Sequence, residues 1–274
     1  MRQKVLSSLK IRNLHTVKEL EEVYQLEGLI WSVEDAIPVN QTIATVKNGG
    51  FILGAFYNDK LIGFQYSFPG FNGKNIYLVS HSLGIHPDYR AFGIGERMKR
   101  AQKELALEMG YEYIAWTYDP LETVNGNLNV HKLKAVCTAY LEDVYGEMSD
   151  AMNTGIATDR FWVEWRIRDA ENRVRNECRL DDSYLIRTQL EGDFVKPKEV
   201  DLELDNEYLL VPVPSNFQSM KKSHFSLAVK WRETTRIVFN HYLKRGWVVI
   251  NLLKDSKTAN QYVYVLKKLR NKGL

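Results

Sequence analysis

The sequence predicts an α+β chain, and three observations carry that prediction. Residues 51–68 read as two apolar strands around a tight turn. Residues 75–109 read as a strand that ends in a glycine-bearing loop and opens an amphipathic helix. After about Arg168 the composition shifts, and strands recur around one long helix, which predicts a second, smaller α+β unit. The expected division is therefore 1–168 and 169–274. A chain of 274 residues has room for both.

The elements follow in order. Residues 4–12 read as a strand with Val5, Leu9 and Ile11 on one face. Thr16 and Glu19 form a capping box ahead of a helix carrying Leu20, Val23, Tyr24, Ile30 and Trp31. Asn48-Gly49-Gly50 breaks the chain. Phe51–Tyr57 and Leu61–Phe68 form a hairpin around Asn58-Asp59-Lys60. Pro69-Gly70 through Gly73 is a second turn, and Asn75–Ile85 a strand. The helix after Gly95 repeats Ile94, Met98, Ala101, Leu105 and Met109, with Arg97, Lys99, Arg100, Lys103, Glu104 and Glu108 on its other face. Gly110 ends it. Tyr111–Tyr118 is a strand, Val124–Leu133 a short helix, and Ala135–Tyr145 and Phe161–Ile167 are strands with a polar loop, Gly146–Asp159, between them. Arg168–Asp182 reads as a linker or exposed helix. Tyr184–Thr188, Tyr208–Val213, Gly246–Leu253 and Gln261–Leu266 are strands, and Phe225–Lys244 is a long helix.

Composition narrows the function. The chain is 45% hydrophobic and 26% charged, the balance of an ordinary globular protein. Its net charge of +3 comes without a basic block, so nucleic acid is not an expected partner. No apolar run is long enough to span a bilayer, and residues 1–30 lack a signal-peptide core. Cys137 and Cys178 form no metal-like spacing, so no metal is expected, and they read as unpaired thiols in a reducing, cytoplasmic setting. Cys137 lies in an apolar strand and reads as core.

The run Leu83-Gly84-Ile85-His86-Pro87-Asp88-Tyr89-Arg90-Ala91-Phe92-Gly93-Ile94-Gly95 carries the chemistry. At a helix start the first amides lack intrahelical partners and the dipole adds positive charge. Gly93 and Gly95 let successive N–H groups turn toward one anion, and Arg90 can add a charge-assisted bond. The run therefore reads as a diphosphate cradle.

That motif, Leu83-x-Ile85-x-Pro87-x-x-Arg90-x-x-Gly93-x-Gly95, resembles the pyrophosphate motif of the GNAT superfamily of acyl-CoA-dependent N-acyltransferases. Ile11-Arg12 with Leu20-Glu21-Glu22-Val23-Tyr24 resembles the family's opening. His131-Lys132-Leu133-Lys134-Ala135 resembles its Tyr-x-Lys-Leu-Gly-Phe helix end in altered form. The resemblance covers about residues 1–168 and implies a mixed, mostly antiparallel central sheet flanked by helices, in an α/β-like three-layer order. It implies acetyl-CoA or another acyl-CoA as co-substrate. Leu83 and Ile85 would pair their backbone with the pantetheine arm, with Gly84 as the bulge. Arg90, Ala91, Phe92, Gly93, Ile94 and Gly95 would cradle the pyrophosphate, and Arg97 and Lys99 either neutralise phosphate or form a solvated face. Asn125, Asn127 and Asn129 either bond the pantetheine amides or serve as caps and turns.

The catalytic groups are less sharply marked. The family's usual acid, a tyrosine, is replaced by Val130, which leaves Tyr118, Asn129 or water as substitutes. His81 is the candidate base; strict alternation puts it on the face of Leu83 and Ile85, toward a helix, where it also reads as a structural residue. Asp119 and Glu122 follow a strand end and either handle an amine or form a turn. Arg160 either pairs with a substrate carboxylate or ends a loop. Glu164 faces a pocket or the solvent. The expected reaction is transfer of an acetyl or other short acyl group to a primary amine of a small molecule or amino acid, by direct attack in a ternary complex. Succinyl transfer from a dicarboxylic acyl-CoA and a non-catalytic acyl-CoA sensor are the alternatives. The expected partners are that small amine, no nucleic acid and no membrane, with a homodimer as the assembly.

Overall fold

The computed structural model describes residues 1–146, 155–168 and 183–269. They form a mixed α+β chain that divides into two compact units, Met1–Trp116 with Arg166–Asp169, and Thr117–Trp165 with Ala170–Leu274.

The first unit opens with helix α1 (Arg2–Ser8), where a strand is expected, and only then enters strand β1 (Lys10–Leu14). Two helical turns are too short for apolar periodicity to separate helix from strand, and Val5 is the single buried residue of α1. Helix α2 (Val17–Ile30) starts at the expected capping box, with Thr16 and Glu19 each bonding the other's backbone. Helix α3 (Val39–Lys47) follows. Strands β2 (Phe51–Tyr57) and β3 (Lys60–Phe71) form the expected hairpin, and Asn58 and Asp59 both take positive φ at its turn. Strand β4 (Ile76–Ile85) leads through a short 3₁₀ turn, Pro87–Tyr89, to helix α4 (Ile94–Glu108) and then strand β5 (Tyr113–Tyr118).

The strand order is β1-β2-β3-β4-β5, antiparallel except for the parallel pair β4 and β5. One face packs on α2 and α3 through Leu20, Val23, Leu26, Phe64 and Tyr66. The other is covered by α4, whose buried stripe is Ile94, Met98, Lys99, Gln102 and Ala106.

The second unit contains a four-residue helix α5 (Thr123–Gly126) continued by a π-helical turn, Asn127–Lys132, and strands β6 (Val136–Leu141) and β7 (Arg160–Arg166). Strands β8 (Ile186–Glu191) and β9 (Phe194–Val200) pair as a separate hairpin. Strand β10 (Tyr208–Pro214), helices α6 (Phe217–Ser223) and α7 (Phe225–Leu243), and strands β11 (Trp247–Lys254) and β12 (Gln261–Lys268) complete it. Its strands run β7-β6-β11-β12-β10. Helix α7 turns Trp231, Thr235, Val238, Phe239 and Tyr242 inward, as the sequence predicts, while Leu227, expected among them, is only half-buried. Phe239 stacks edge-on against Phe161 at 4.6 Å, and Phe161 meets Tyr264 at 5.4 Å. The linker expected at Arg168–Asp182 and Cys178 lie, but for Arg168 itself, outside the described residues.

Candidate active site

The glycine loop has the conformation its composition demands. Gly93 sits at φ +90° and Ala91 at +61°. Only the glycine adopts that region without strain. Gly93 is the N-cap of α4, and no side chain caps the helix. The first-turn amides of a fifteen-residue helix are therefore left without a capping oxygen. A Cβ on Gly93 would have Arg2 as its nearest neighbour, 3.9 Å away. The loop thus offers open N–H groups, a positive helix end and room for an anion. Arg90 is exposed, and its Nε donates to the Ile85 carbonyl at 3.4 Å.

Helix α1 braces this loop. Arg2 donates from Nε to the Phe92 carbonyl at 3.2 Å, and Arg97 donates to the Leu6 carbonyl. Arg97 is thus spent on the backbone of α1. Lys99, the other residue expected on the solvated face, is 4% exposed. It falls on the inward stripe because Gly95, Lys99, Gln102 and Ala106 follow the 3.6-residue period.

Strand β4 supplies the second feature. Its pairing with β5 is Leu78 to Ile114 and Val79 to Ala115. Past Val79, no ladder pairing to β5 joins it among the described residues, so the backbone of Leu83 and Ile85 keeps an open edge. A free strand edge takes up an extended ligand by main-chain hydrogen bonds. The bulge lies elsewhere than expected. Gly84 pairs regularly with Phe64, while Tyr66 opposes Ser82 and Ser67 opposes Ser80, so His81 is the extra residue. Gly84 serves close packing instead, since a Cβ there would fall 2.4 Å from the Phe64 ring.

The bulge corrects the face assigned to His81. Leu83 lies against Gly95, and the Ile85 and Met98 side chains converge on Gly63, so both strand residues face α4. The His81 ring instead meets Tyr66 at 5.7 Å and Phe68 at 5.6 Å, on the opposite face, with its outer edge exposed. That apolar surround lowers its pKa below 6.5. A neutral imidazole open to solvent is able to take a proton.

Sequence reasoning missed Glu27. It is 3% exposed on α2, accepts a hydrogen bond from the Ile37 amide, and burial raises its pKa to about 7. Its signal was present: Leu20, Val23 and Glu27 follow helical spacing, so a carboxyl occupies a core position.

The remaining candidates belong to the second unit. Tyr118 is 5% exposed and bonded to the Tyr264 hydroxyl at 3.3 Å, and burial raises its pKa. Asn129 and Val130 are buried, whereas Asn125 is exposed. Asp119 is engaged by Arg232, and its Oδ2 lies 3.8 Å from Arg160. Arg232 is 3% exposed and leaves Nε and Nη1 without partners among the described residues. Asp159 is gripped bidentately by Arg236 at 2.8 and 2.6 Å and accepts from Tyr140 at 2.7 Å. Glu122 accepts from Gln218, and burial raises its pKa. Glu164 is half-buried and accepts from Thr138 at 3.2 Å. Cys137 is buried, as expected of a core residue, and burial pushes its thiol far up. No group of three or more His, Cys, Asp or Glu side chains with metal-site geometry occurs among the described residues. None of their helices is long and apolar enough to cross a membrane.

Residues 17–133 match the model of the acetyltransferase (GNAT) family. No curated protein matches the chain. Solved structures do. The putative acetyltransferase yncA from Salmonella typhimurium, with its cofactor acetyl-CoA, is 14% identical, covers 59% of this chain and 95% of its own, and gives a TM-score of 0.48. The ribosomal-protein-S18-alanine N-acetyltransferase from Escherichia coli is 13% identical over 59% of this chain and 96% of its own, with a TM-score of 0.47. A GNAT-family acetyltransferase from Streptococcus pneumoniae is 16% identical over 57% and 98%, with a TM-score of 0.46.

Proposed function

We propose that the protein moves an acetyl or other short acyl group from acyl-CoA to a primary amine of a small molecule or amino acid, a reading supported by the match of residues 17–133 to the acetyltransferase (GNAT) family model. The observation that carries this reading is the pairing of an uncapped helix start at Gly93 with a strand edge open past Val79. The first suits a pyrophosphate and the second an extended amide-bearing arm. Amides from Ala91 to Gly95 hold the pyrophosphate, with Arg90 beside them, and the backbone of Leu83 and Ile85 pairs with the arm.

The amine attacks the thioester carbon directly. It must first be neutral, and the proton it sheds needs an acceptor. We assign that role to His81, which is exposed on the strand that holds the donor. Asp119 is engaged by Arg232 instead. The departing thiolate has an ordinary thiol pKa of about 8.5, so it leaves with little help from an acid. A buried valine at position 130 is consistent with that economy.

The test is release of free CoA thiol from acetyl-CoA across a panel of amines and amino acids. Turnover with at least one is expected. Tight acetyl-CoA binding with no release across the panel would favour a sensor. His81→Ala should lower kcat/KM about a hundredfold, at the low end of general-base effects, and remove the acid limb of the pH profile. An unchanged profile would take His81 out of the chemistry.

A further inference from the structure

The bulge in β4 is enclosed by a polar network in an otherwise apolar layer. Gln65, Ser67 and Gln102 are 0% exposed, Lys99 4% and Ser80 5%. Gln65 Nε2 donates to the Tyr66 carbonyl at 2.8 Å, beside the register shift, and its amide hydrogens are shared with Ser67 Oγ at 2.8 Å and Ser80 Oγ at 3.2 Å. Ser67 donates back to Gln65 Oε1 at 3.0 Å, and Gln102 donates to Ser67 at 2.9 Å. Lys99 donates to Ser80 Oγ at 2.7 Å, and its Nζ lies 3.7 Å from the centre of the Trp116 ring. Strands β3, β4 and β5 and helix α4 each contribute to it.

Such a network is an expensive way to fill a core. Desolvating a lysine amine is unfavourable, and apolar side chains of the same volume would pack there more cheaply. Its placement gives the reason. A bulge breaks the ladder and leaves a main-chain group to be satisfied, and the Gln65 amide meets the Tyr66 carbonyl at that point. A slip of one residue would turn Leu83 and Ile85 to the other face and carry His81 with them. Apolar packing opposes such a slip, and the directional hydrogen bonds to Ser67 and Ser80 add a second constraint located at the bulge itself.

We propose that Lys99 is a positioning residue: through Ser80 it locks the His81 bulge and sets the register in which β4 presents the Leu83–Ile85 backbone and the His81 imidazole. The role assigned to that backbone rests on the acyltransferase reading. The lock itself does not.

Two replacements separate this role from packing. Lys99→Met keeps the side-chain length and removes the donor. Lys99→Gln keeps a neutral donor. Both should fold, judged by circular dichroism, with Tm at pH 7.5 no lower than wild type. Lys99→Met should speed amide hydrogen exchange across Ser80–Ile85 at least tenfold and raise the acetyl-CoA Kd, measured by calorimetry, at least fivefold. Lys99→Gln should stay within twofold of wild type in both. Wild-type exchange and affinity in Lys99→Met overturn the proposal, as does Lys99→Gln failing to the same degree. If Lys99→Met is insoluble, Ser80→Ala combined with Lys99→Met removes donor and acceptor together, and the same rise in exchange is expected, with wild-type exchange overturning the lock. Wild-type protein that binds no acetyl-CoA would defeat the acyltransferase reading alone, because exchange across β4 needs no ligand and still decides the lock.

Discussion

Glu27 is a carboxyl buried against the α2–α3 face, with a pKa raised from 4.5 to about 7. Between those values the folded chain holds a proton that the unfolded chain has lost. Stability therefore falls as pH rises through that window, and the penalty is fully present above it. Replacing the carboxyl by an amide keeps an oxygen for the Ile37 amide and removes the charge. Glu27→Gln should flatten the decline between pH 4.5 and 7 and stabilise the fold above pH 7 by up to roughly 3 kcal/mol in urea titrations. Parallel wild-type and variant curves would show that the carboxyl is not buried in its charged form. At this scale the sequence was legible where one residue type had one use. Gly93 and the Thr16–Glu19 capping box stand where expected because a positive φ and an orphan amide each demand a specific residue. His81 was misplaced because alternation fails at a bulge, and a single sequence does not mark which residue is the extra one.

At the scale of elements, α4 joins the two halves of the proposed donor site, with its start at the glycine loop and its buried stripe under the bulge of β4. Its Lys99 has a pKa lowered from 10.5 to about 7 by burial, with no charged group contributing. From about pH 7 to 10.5 the unfolded chain binds a proton that the folded chain lacks, so stability rises with pH across that interval. Below pH 7 the penalty for the buried amine is complete. Lys99→Met should abolish the rise and gain stability at pH 7 on the order of a few kcal/mol, read from chemical denaturation between pH 6 and 10. A slope that survives in Lys99→Met would mean that another group titrates there. The sequence placed Lys99 on the wetted side because seven charged residues crowd this helix, and charge outweighed the phase of its position. Helix α3 went unread for a different reason. Its nine residues include two threonines and two valines, which weaken helix propensity, and Pro38 replaces a capping side chain. Its apolar period, Val39, Ile43 and Val46, was nonetheless present.

At the scale of the whole chain, the second unit draws on residues far apart in sequence. Strand β6 meets β11 at Cys137 and Val249. Tyr118 bonds Tyr264, Asp119 pairs with Arg232, and Asp159 with Arg236. A chain ending at Arg168 would keep one partner of each pair. It would expose the Phe161 core face and leave two carboxylates without their guanidiniums, and breaking one such buried pair costs about 3–5 kcal/mol. Residues 1–168 alone should therefore lack cooperative unfolding and near-ultraviolet dichroism over their C-terminal part. A sharp, cooperative melt would show that the fold closes without the last third. Such long-range pairs are invisible in sequence, because nothing in the spacing of Asp119 and Arg232 records that a strand end and a helix meet. The α+β character was legible, because it rests on local turns and periods, whereas the mixed, mostly antiparallel order of the sheet was implied by the family resemblance.

The central claim is that the left-handed, uncapped start of α4 holds the diphosphate of acyl-CoA. Gly93→Asp puts a Cβ at φ +90° and a negative charge among the amides that would bind it, at an exposed loop where little packing is lost. Calorimetric titration of acetyl-CoA into wild type and Gly93→Asp tests it most directly. The prediction is saturable binding to wild type and affinity at least tenfold weaker in the variant, with both proteins folded. Equal affinity for the two would contradict the assignment of the cradle, and with it the donor half of the reaction.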